Sequence, residues 1–254
     1  KSKLQPVAPT SLLTAAVKKG FEKIGVVGLP CAVHGLRKRQ YDGLARRASE
    51  RIAVIIGLFC NRQGYFLATK HALVDWCHID DFRQIESIQY RGGDYPHNFV
   101  VKLKNGEKIE LQRPLYTARM HGPSGRDRCL MCIDWTAELS DISVGDYFHR
   151  ITKAGEDPRR SSVIVRTAKG EELFGLAQRD GHIYAEGIPP SDLTSSGGGF
   201  EAKKHIAAFR LTQRQRCGWP VPNFHYRPDY SAFKRRTPVS DRGEVLVTGD
   251  DPSP

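Results

Sequence analysis

The sequence predicts an α/β fold in which a mixed sheet carries a βαβ unit near the N-terminus and an inserted antiparallel hairpin. Residues 24–30 and 51–59 are near-continuous apolar runs rich in β-branched side chains. Such runs are typical of strands buried on both faces of a parallel sheet. Residues 32–50, rich in Arg, Leu and Ala, have the length of one crossover helix, so the three segments together predict a βαβ unit.

Two cysteines follow these predicted strands. Cys31 and Cys60 each close an apolar run. Parallel strands joined by a crossover end at the same edge of the sheet, where open α/β folds place their ligands. We therefore expect both thiols at one edge. The alternative, that both are small core residues as free cysteines often are, explains neither their matching positions nor the further cysteine pair downstream.

The remaining elements follow in chain order. Residues 69–77 have helical spacing that puts Cys77 on an apolar, core-facing side. Residues 99–103 and 107–111 predict a hairpin. A two-residue loop would pair Val101 with Glu110, whereas a three-residue loop with Gly106 in the left-handed region pairs Val101 with Ile109 and gives one apolar face, so we favour the longer loop.

Two further strands are predicted at residues 138–147 and 161–167, with helices at 171–179 and 201–216. Cys217 lies at the end of the last predicted helix, too far along the chain from another cysteine to form a ligand motif, so we assign it no role. The predicted domains are residues 1–190, which carry the candidate site, and residues 191–254, a basic helical extension with a flexible tail.

Composition limits the class of protein. A chain of 254 residues with 39% hydrophobic content is long enough for a sizeable core. Six unevenly spaced cysteines without a signal-like start indicate a reducing compartment, so we expect a cytoplasmic protein. No apolar run approaches the roughly 20 residues that cross a bilayer, and membrane insertion is not expected. The sequence starts at Lys1 rather than methionine, so we expect a segment upstream.

The net charge of +11 raises the question of a nucleic-acid partner. Residues 201–236 contain nine Lys or Arg against two acids, with aromatic residues between them. Such a segment can stack on single strands, but no nucleic-acid motif accompanies it. We do not expect nucleic-acid binding. A docking surface for an acidic protein, or a site for an anionic cofactor, explains the charge equally well.

A cysteine pair carries the clearest chemistry. Cys129 and Cys132 form a CxxC motif, and Cys31 and Cys60 bring the set to four thiols. Four soft thiolates suit either a structural zinc ion or an iron-sulfur cluster, and the spacing leaves both open. No other catalytic constellation is present, so catalytic residues stay unassigned. His34 follows Cys31 by three residues and is a candidate ligand-binding residue, although a solvent-facing helix histidine explains it as well.

Five short segments together resemble the beta subunit family of coenzyme F420 hydrogenases and dehydrogenases, in order and approximate spacing. They are Val27-Gly-Leu-Pro-Cys-Ala-Val-His-Gly-Leu-Arg37, Ile56-Gly-Leu-Phe-Cys60, Arg128-Cys-Leu-Met-Cys-Ile-Asp134, Ala137-Glu-Leu-Ser-Asp-Ile-Ser-Val-Gly-Asp146 and Ser162-Val-Ile-Val-Arg-Thr167. Members are iron-sulfur flavoproteins in which FAD passes electrons between a 4Fe-4S cluster and a two-electron partner, often coenzyme F420. The resemblance implies that the cluster ligands are Cys31, Cys60, Cys129 and Cys132.

The resemblance also implies cofactors and partners. It predicts a 4Fe-4S cluster, FAD, coenzyme F420 as a small-molecule hydride acceptor, and a redox partner subunit or ferredoxin. Gly28 and Gly57 would allow close backbone approach to a cofactor, and Pro30 and His34 lie in the same matching block. Lys3 could meet a phosphate of FAD or the acidic tail of the deazaflavin. Family members usually carry a flavin-associated portion ahead of the segment matched here.

Two alternative functions remain open at this point. The family also includes ferredoxin-linked reductases of chlorophyll-type pigments, so a pigment-like substrate is the first alternative. The second is a non-catalytic module in which the four thiols hold zinc and the basic segment docks on nucleic acid or an acidic protein.

Overall fold

The computed structural model describes most of the chain, namely residues 9–42, 46–93, 97–112, 124–147, 160–190, 193 and 200–224. Lys3 and most of the predicted tail lie outside these residues. The chain divides into two compact units, Lys1–Pro222 and Asn223–Pro254, and all the elements given below belong to the first. The domain boundary predicted after residue 190 stays a prediction.

The first unit contains both helices and strands. The α-helices are α1 (Pro9–Lys18), α2 (Pro30–Tyr41), α3 (Arg46–Ser49), α4 (Phe66–His71), α5 (Asp127–Leu130), α6 (Ala168–Arg179) and α7 (Phe200–Arg216). The strands are β1 (Ile24–Gly28), β2 (Ile52–Leu58), β3 (Ile85–Gly92), β4 (Asn98–Leu103), β5 (Lys108–Leu111), β6 (Ile142–Asp146) and β7 (Ser161–Val165). Within the described residues, no helix is long and apolar enough to span a membrane.

The larger sheet is mixed, with the strand order β1-β2-β6-β7. The first three strands are parallel, and β7 runs antiparallel to β6. In the register of β1 and β2, Val27 lies beside Ile56 and Gly28 beside Gly57, so the two strands end level with each other. This arrangement confirms the predicted α/β class and the βαβ unit.

Two details of the βαβ unit differ from the prediction. The crossover is two helices, α2 and α3, and α2 begins at Pro30 because proline suits the first turn of a helix. Cys31 therefore lies in a helical turn. β1 is also not buried on both faces, because it is the edge strand and Val27 is 54% exposed. The core of this unit lies between α2 and β2, where Val33, Leu36 and Ile55 are fully buried.

The smaller sheet is antiparallel, in the order β3-β4-β5. Val101 pairs with Ile109 and Gly106 has φ of +91°, as the three-residue loop predicts. β3 is absent from the sequence predictions because a register shift between Ile85 and Ser87 breaks its apolar alternation. The helix predicted at residues 69–77 begins earlier, as α4, and continues through a π-helical turn at Ala72–Trp76.

The later elements match the predictions, with shifted ends. Cys77 packs in the core of the smaller sheet, as expected. β6 starts at Ile142 rather than at residue 138, because a hydrogen-bonded turn occupies the residues before it. α6 starts at Ala168 rather than at residue 171, because the Thr167 hydroxyl accepts a hydrogen bond from the Gly170 N–H and caps the helix.

Candidate functional site

The four predicted ligand cysteines lie on three separate segments of the first unit. Cys31 is in the first turn of α2, directly after β1. Cys60 follows the end of β2 by two residues. Cys129 lies in the short helix α5, and Cys132 follows that helix. Cys31 is exposed and the other three are partly buried. Because β1 and β2 are parallel and end level, Cys31 and Cys60 lie at one edge of the sheet, as expected.

Backbone hydrogen bonds bring the segment after β2 against the CxxC segment. The Cys60 N–H donates to the Trp135 carbonyl oxygen at 2.8 Å. The Gln63 N–H donates to Cys129 Sγ at 3.3 Å, and the Arg126 N–H donates to the Gln63 carbonyl oxygen at 3.0 Å. A short antiparallel bridge between Gly64 and Gly125 continues the contact. The thiol of Cys60 and those of the CxxC motif are therefore held in neighbouring loops.

Electrostatics indicates that the four thiols are close to one another. Burial, together with the neighbouring Cys129, Cys31 and Cys132, raises the pKa of Cys60 to about 11 in spite of the opposing charge of Lys203. Burial also raises the pKa of Cys31 and of Cys132, and Cys129 adds to both shifts. Each thiolate that forms here thus makes the next one harder to form, unless a cation compensates the charge.

The spacing of these groups bears on the kind of metal centre. In the described part of the chain, no three His, Cys, Asp or Glu side chains are arranged to hold one metal ion. A single zinc ion needs its thiolates about 2.3 Å from one point. In a 4Fe-4S cluster each cysteine binds a different iron, so the four thiols stand farther apart. The donor set of four thiols suits either kind of centre.

A buried lysine from α7 lies beside the thiols. Lys203 is 9% exposed, and its Nζ donates to the carbonyl oxygens of Cys60 at 2.8 Å and Asp134 at 2.9 Å. The ammonium also lies 6.0 Å from the centre of the Trp135 ring. It opposes the effect of burial on the pKa of Cys60 and of Cys132. Lys203 was not among the residues predicted for the site.

A histidine–aspartate pair joins α2 to the CxxC segment. His34 Nε2 lies 2.9 Å from Asp134 Oδ2, and the same oxygen accepts a hydrogen bond from the Glu138 N–H at 3.0 Å. Asp134 is 1% exposed, and its Oδ1 has no hydrogen-bond partner among the described residues. The predicted candidate His34 therefore contacts the loop of Cys132. Whether it also binds a cofactor stays a prediction.

A second carboxylate fixes the start of β6. Asp141 is 6% exposed and accepts hydrogen bonds from the Ile55 N–H, the Thr167 hydroxyl and the Arg37 guanidinium, at 2.7–2.9 Å. Burial alone would raise the pKa of Asp141, but these three donors outweigh it and the pKa is lowered. The charged network ties α2, β2 and the start of α6 to the turn before β6.

A cavity of about 150 Å³ opens beside the CxxC motif. Its wall combines the thiol-bearing residues with cations and apolar groups, including Cys129, Cys132, Trp135, Lys203, Arg62 and Arg210. Burial lowers the pKa of Arg210, and the neighbouring Arg62 lowers it further, because two guanidinium groups repel each other. The positive potential of this wall suits an anionic ligand.

The predicted cofactor-binding glycines have close protein neighbours. A Cβ on Gly57 would lie 2.3 Å from the Ala137 Cβ and 2.7 Å from Ser140 Oγ. A Cβ on Gly28 would lie 3.3 Å from the Ala32 Cβ. Tight packing therefore explains glycine at position 57 without a ligand. A role of Gly28, Pro30 and Gly57 in cofactor binding stays a prediction.

Comparison with known proteins identifies the relatives of this chain. The family model for the C terminus of the coenzyme F420 hydrogenase/dehydrogenase beta subunit matches residues 21–191. A coenzyme F420-dependent sulfite reductase of Methanocaldococcus jannaschii is 32% identical over 245 residues, which are 91% of this chain but only 34% of that protein. A coenzyme F420 hydrogenase beta subunit of Methanococcus voltae is 28% identical over 218 residues, covering 84% of this chain and 70% of the relative.

A solved structure has the same fold. A chain of the F420-reducing NiFe hydrogenase complex from Methanosarcina barkeri matches with a TM-score of 0.57 at 19% identity, covering 85% of this chain and 70% of that chain. The residues that the family model matches include the βαβ unit and the CxxC loop described above, in agreement with the resemblance seen in the sequence. The chain belongs to the coenzyme F420 hydrogenase/dehydrogenase beta subunit family and corresponds to its C-terminal portion.

Proposed function

We propose that this chain is an iron-sulfur oxidoreductase subunit that passes electrons between a 4Fe-4S cluster, FAD and a two-electron acceptor such as coenzyme F420. The observation that carries the proposal is the convergence of four thiols from three segments. Cys31, Cys60, Cys129 and Cys132 lie close enough to affect one another's pKa. These four residues would hold the cluster.

The residues around the thiols support this role. Phe59 and Met131, which directly precede Cys60 and Cys132, are both 6% exposed, so these two ligand segments are anchored in the protein interior. The Gln63 N–H donates to Cys129 Sγ, and such hydrogen bonds to sulfur stabilise negative charge on a cluster and raise its reduction potential. Because the thiol of Cys60 has a pKa of about 11 without metal, cluster binding must release protons and weaken as the pH falls.

The cavity supports an anionic redox partner. When bound, a cluster supplies single electrons and a flavin converts them to the two-electron chemistry of a hydride acceptor. Arg62 and Arg210 line the same cavity as Cys129 and Cys132, so they can bind and orient a carboxylate or phosphate group near the thiols. We include coenzyme F420 because two of the relatives are named for it. FAD and a partner subunit or ferredoxin enter the proposal from the family.

Zinc and pigment chemistry are less well supported. A structural zinc ion would use the same four thiols, but an iron-sulfur cluster is what the family of this chain favours. A pigment-like substrate has no counterpart among the relatives named above, whereas coenzyme F420 appears in the names of both proteins. The expectation that the chain does not bind nucleic acid and the cytoplasmic location stay predictions.

Metal and flavin analysis tests the proposal. The full chain is purified without oxygen, and iron, acid-labile sulfide, zinc and flavin are measured per polypeptide. We expect about four iron and four sulfide ions, as a Cys₄-ligated cubane cluster requires. Cys129→Ser with Cys132→Ser should lose both. Cys217→Ser is the matched control, because Cys217 is an exposed free thiol at the end of α7 and should leave the iron content unchanged.

Two results would contradict the proposal. Stoichiometric zinc without iron would replace the redox role by a structural one. Iron and sulfide that persist after both serines are introduced would show that other residues hold the cluster. The flavin measurement is separate, since it decides only whether this chain alone retains FAD.

A further inference from the structure

Lys203 is a buried cation that pairs with no carboxylate in the part of the chain that the structure describes. It lies in α7, beyond residues 21–191 that match the family model. Its Nζ donates to two backbone carbonyl oxygens, of Cys60 and of Asp134. Among the described residues no carboxylate forms an ion pair with it, and the carboxylate of Asp134 is directed to His34 instead. Carbonyl dipoles alone compensate a buried ammonium incompletely.

The missing negative charge is next to the ammonium, on the cysteines. Lys203 lines the same cavity as Cys129 and Cys132, and its Nζ donates to the carbonyl oxygen of Cys60. A metal centre held by four thiolates carries net negative charge, so a buried cation at this position lowers the energy of both partners.

The two hydrogen bonds also give Lys203 a mechanical role. Cys60 belongs to the loop after β2, and Asp134 belongs to the loop that carries Cys132. One ammonium bridges both backbones at 2.8 and 2.9 Å, so it fixes the separation between two segments that each present a ligand thiol. Lys203 therefore acts on the position of the ligands as well as on their charge.

We propose that Lys203 is a positioning residue that compensates the negative charge of the metal–thiolate centre formed by the four cysteines and bridges two of the loops that carry them. The inference rests on the proposed function for the iron-sulfur identity of that centre. A nearby cation stabilises the more negative, reduced state, so Lys203 raises the reduction potential of the cluster.

The test compares three variants of the full chain, purified without oxygen. Lys203→Met removes the charge and both hydrogen bonds, whereas Lys203→Arg keeps the charge. Lys204→Met is the matched control, because it removes a neighbouring charge from the same helix, one that pairs with Glu138 at 2.7 Å. Iron and sulfide content and the midpoint potential, from a dithionite titration followed by electron paramagnetic resonance, are the readouts.

We expect Lys203→Met to lose part of its iron and to make one-electron reduction of the remaining clusters about tenfold less favourable, a midpoint lower by about 59 mV. Lys203→Arg and Lys204→Met should stay within twofold of wild type. A merely structural lysine would change iron content without moving the potential of the clusters that remain. Equal potentials in wild type and Lys203→Met would therefore overturn the proposal.

Other outcomes separate this inference from the proposed function. If wild type binds zinc instead of iron, the proposed function fails, and the inference then requires a zinc affinity at least tenfold weaker in Lys203→Met, because a tetrathiolate zinc centre is also anionic. Unchanged zinc affinity would overturn it. If Lys203→Met does not fold, Lys203→Gln supplies a neutral side chain that can still donate. Failure of both to fold while Lys203→Arg folds would show that a positive charge is needed at this position, as the proposal expects. Failure of all three to fold would mark the lysine as purely structural and overturn the proposal.

Discussion

Replacing Gly57 with alanine would test how closely β2 packs against the loop after the CxxC motif. The new Cβ would lie 2.3 Å from the Ala137 Cβ and 2.7 Å from Ser140 Oγ. Ala137 is fully buried and Ser140 is 1% exposed, so neither can move into solvent. Ala137 also has φ of +54°, in the left-handed region that disfavours a side chain. The substitution should therefore force this loop away from the sheet.

The expected cost follows from this overlap. Overpacking a filled core costs about 1–3 kcal/mol, and the upper end applies here because the nearest atom is a Cβ rather than a flexible side-chain end. For a chain of this size, about 3 kcal/mol lowers Tm by roughly 6–12 °C. Ala137→Gly should rescue much of the loss, because it removes the nearest overlapping atom and relieves left-handed strain of about 1–2 kcal/mol.

Urea unfolding followed by circular dichroism measures the effect in wild type, both single variants and the double variant. Gly175→Ala in α6 is the matched control, since its Cβ would meet only Arg179 Nη1 at 3.5 Å and should stabilise the helix by about 0.5–1 kcal/mol. The packing argument is refuted if Gly57→Ala is as stable as wild type. It is also refuted if the two single effects add without rescue.

Three further changes are predicted. Asp141→Asn should cost about 2–3 kcal/mol at pH 7, since three donors stabilise the carboxylate. These donors lower the pKa of Asp141. Its contribution to the free energy of unfolding is therefore present above about pH 3.9 and is lost as the pH falls through the lowered pKa. Urea unfolding from pH 7 to pH 3 should show this loss in wild type and not in Asp141→Asn. In metal-free protein at pH 8, iodoacetamide should modify Cys60 far more slowly than the exposed Cys217. A pKa of about 11 leaves on the order of one Cys60 thiol in a thousand as the reactive thiolate. Mass spectrometry measures the two rates, and equal rates would contradict this prediction. His34→Ala should cost about 1–3 kcal/mol in urea unfolding, because it removes a partner of buried Asp134, and an unchanged midpoint would show that the pair is not stabilising.

Some features of the fold were predictable because local chemistry specifies them. Only the three-residue loop puts Val101 and Ile109 on one face, so the register of the hairpin follows from the sequence. Other features depend on neighbours far along the chain. Val27 is exposed because β1 lies at the edge of the sheet, and no local pattern states which strand will be the edge. The bulge in β3 likewise hides its alternation.

The candidate site also has features that the sequence predicts and a feature that only the structure shows. The chain order β1-α2-β2 was enough to place Cys31 and Cys60 at one edge, because a crossover brings parallel strands level. The CxxC pair was a candidate because of its thiols and the family resemblance, and its role stays a proposal. Lys203 gave no signal, since a lysine in a basic helix normally faces solvent, and only its hydrogen bonds to two loops distinguish it.

The sequence by itself therefore determined the class of fold, the hairpin register and the four candidate thiols, because these depend on apolar periodicity, turn chemistry and residue type along short stretches. The tertiary structure decided which charged groups surround those thiols. Lys203 is buried beside Cys60, and Asp134 against His34, because α7 and α2 pack on loops that are distant in the chain. A charge affects its surroundings strongly only where it is buried away from water. Burial results from the packing of the whole chain, so the residues next to Lys203 or Asp134 in the sequence do not reveal it.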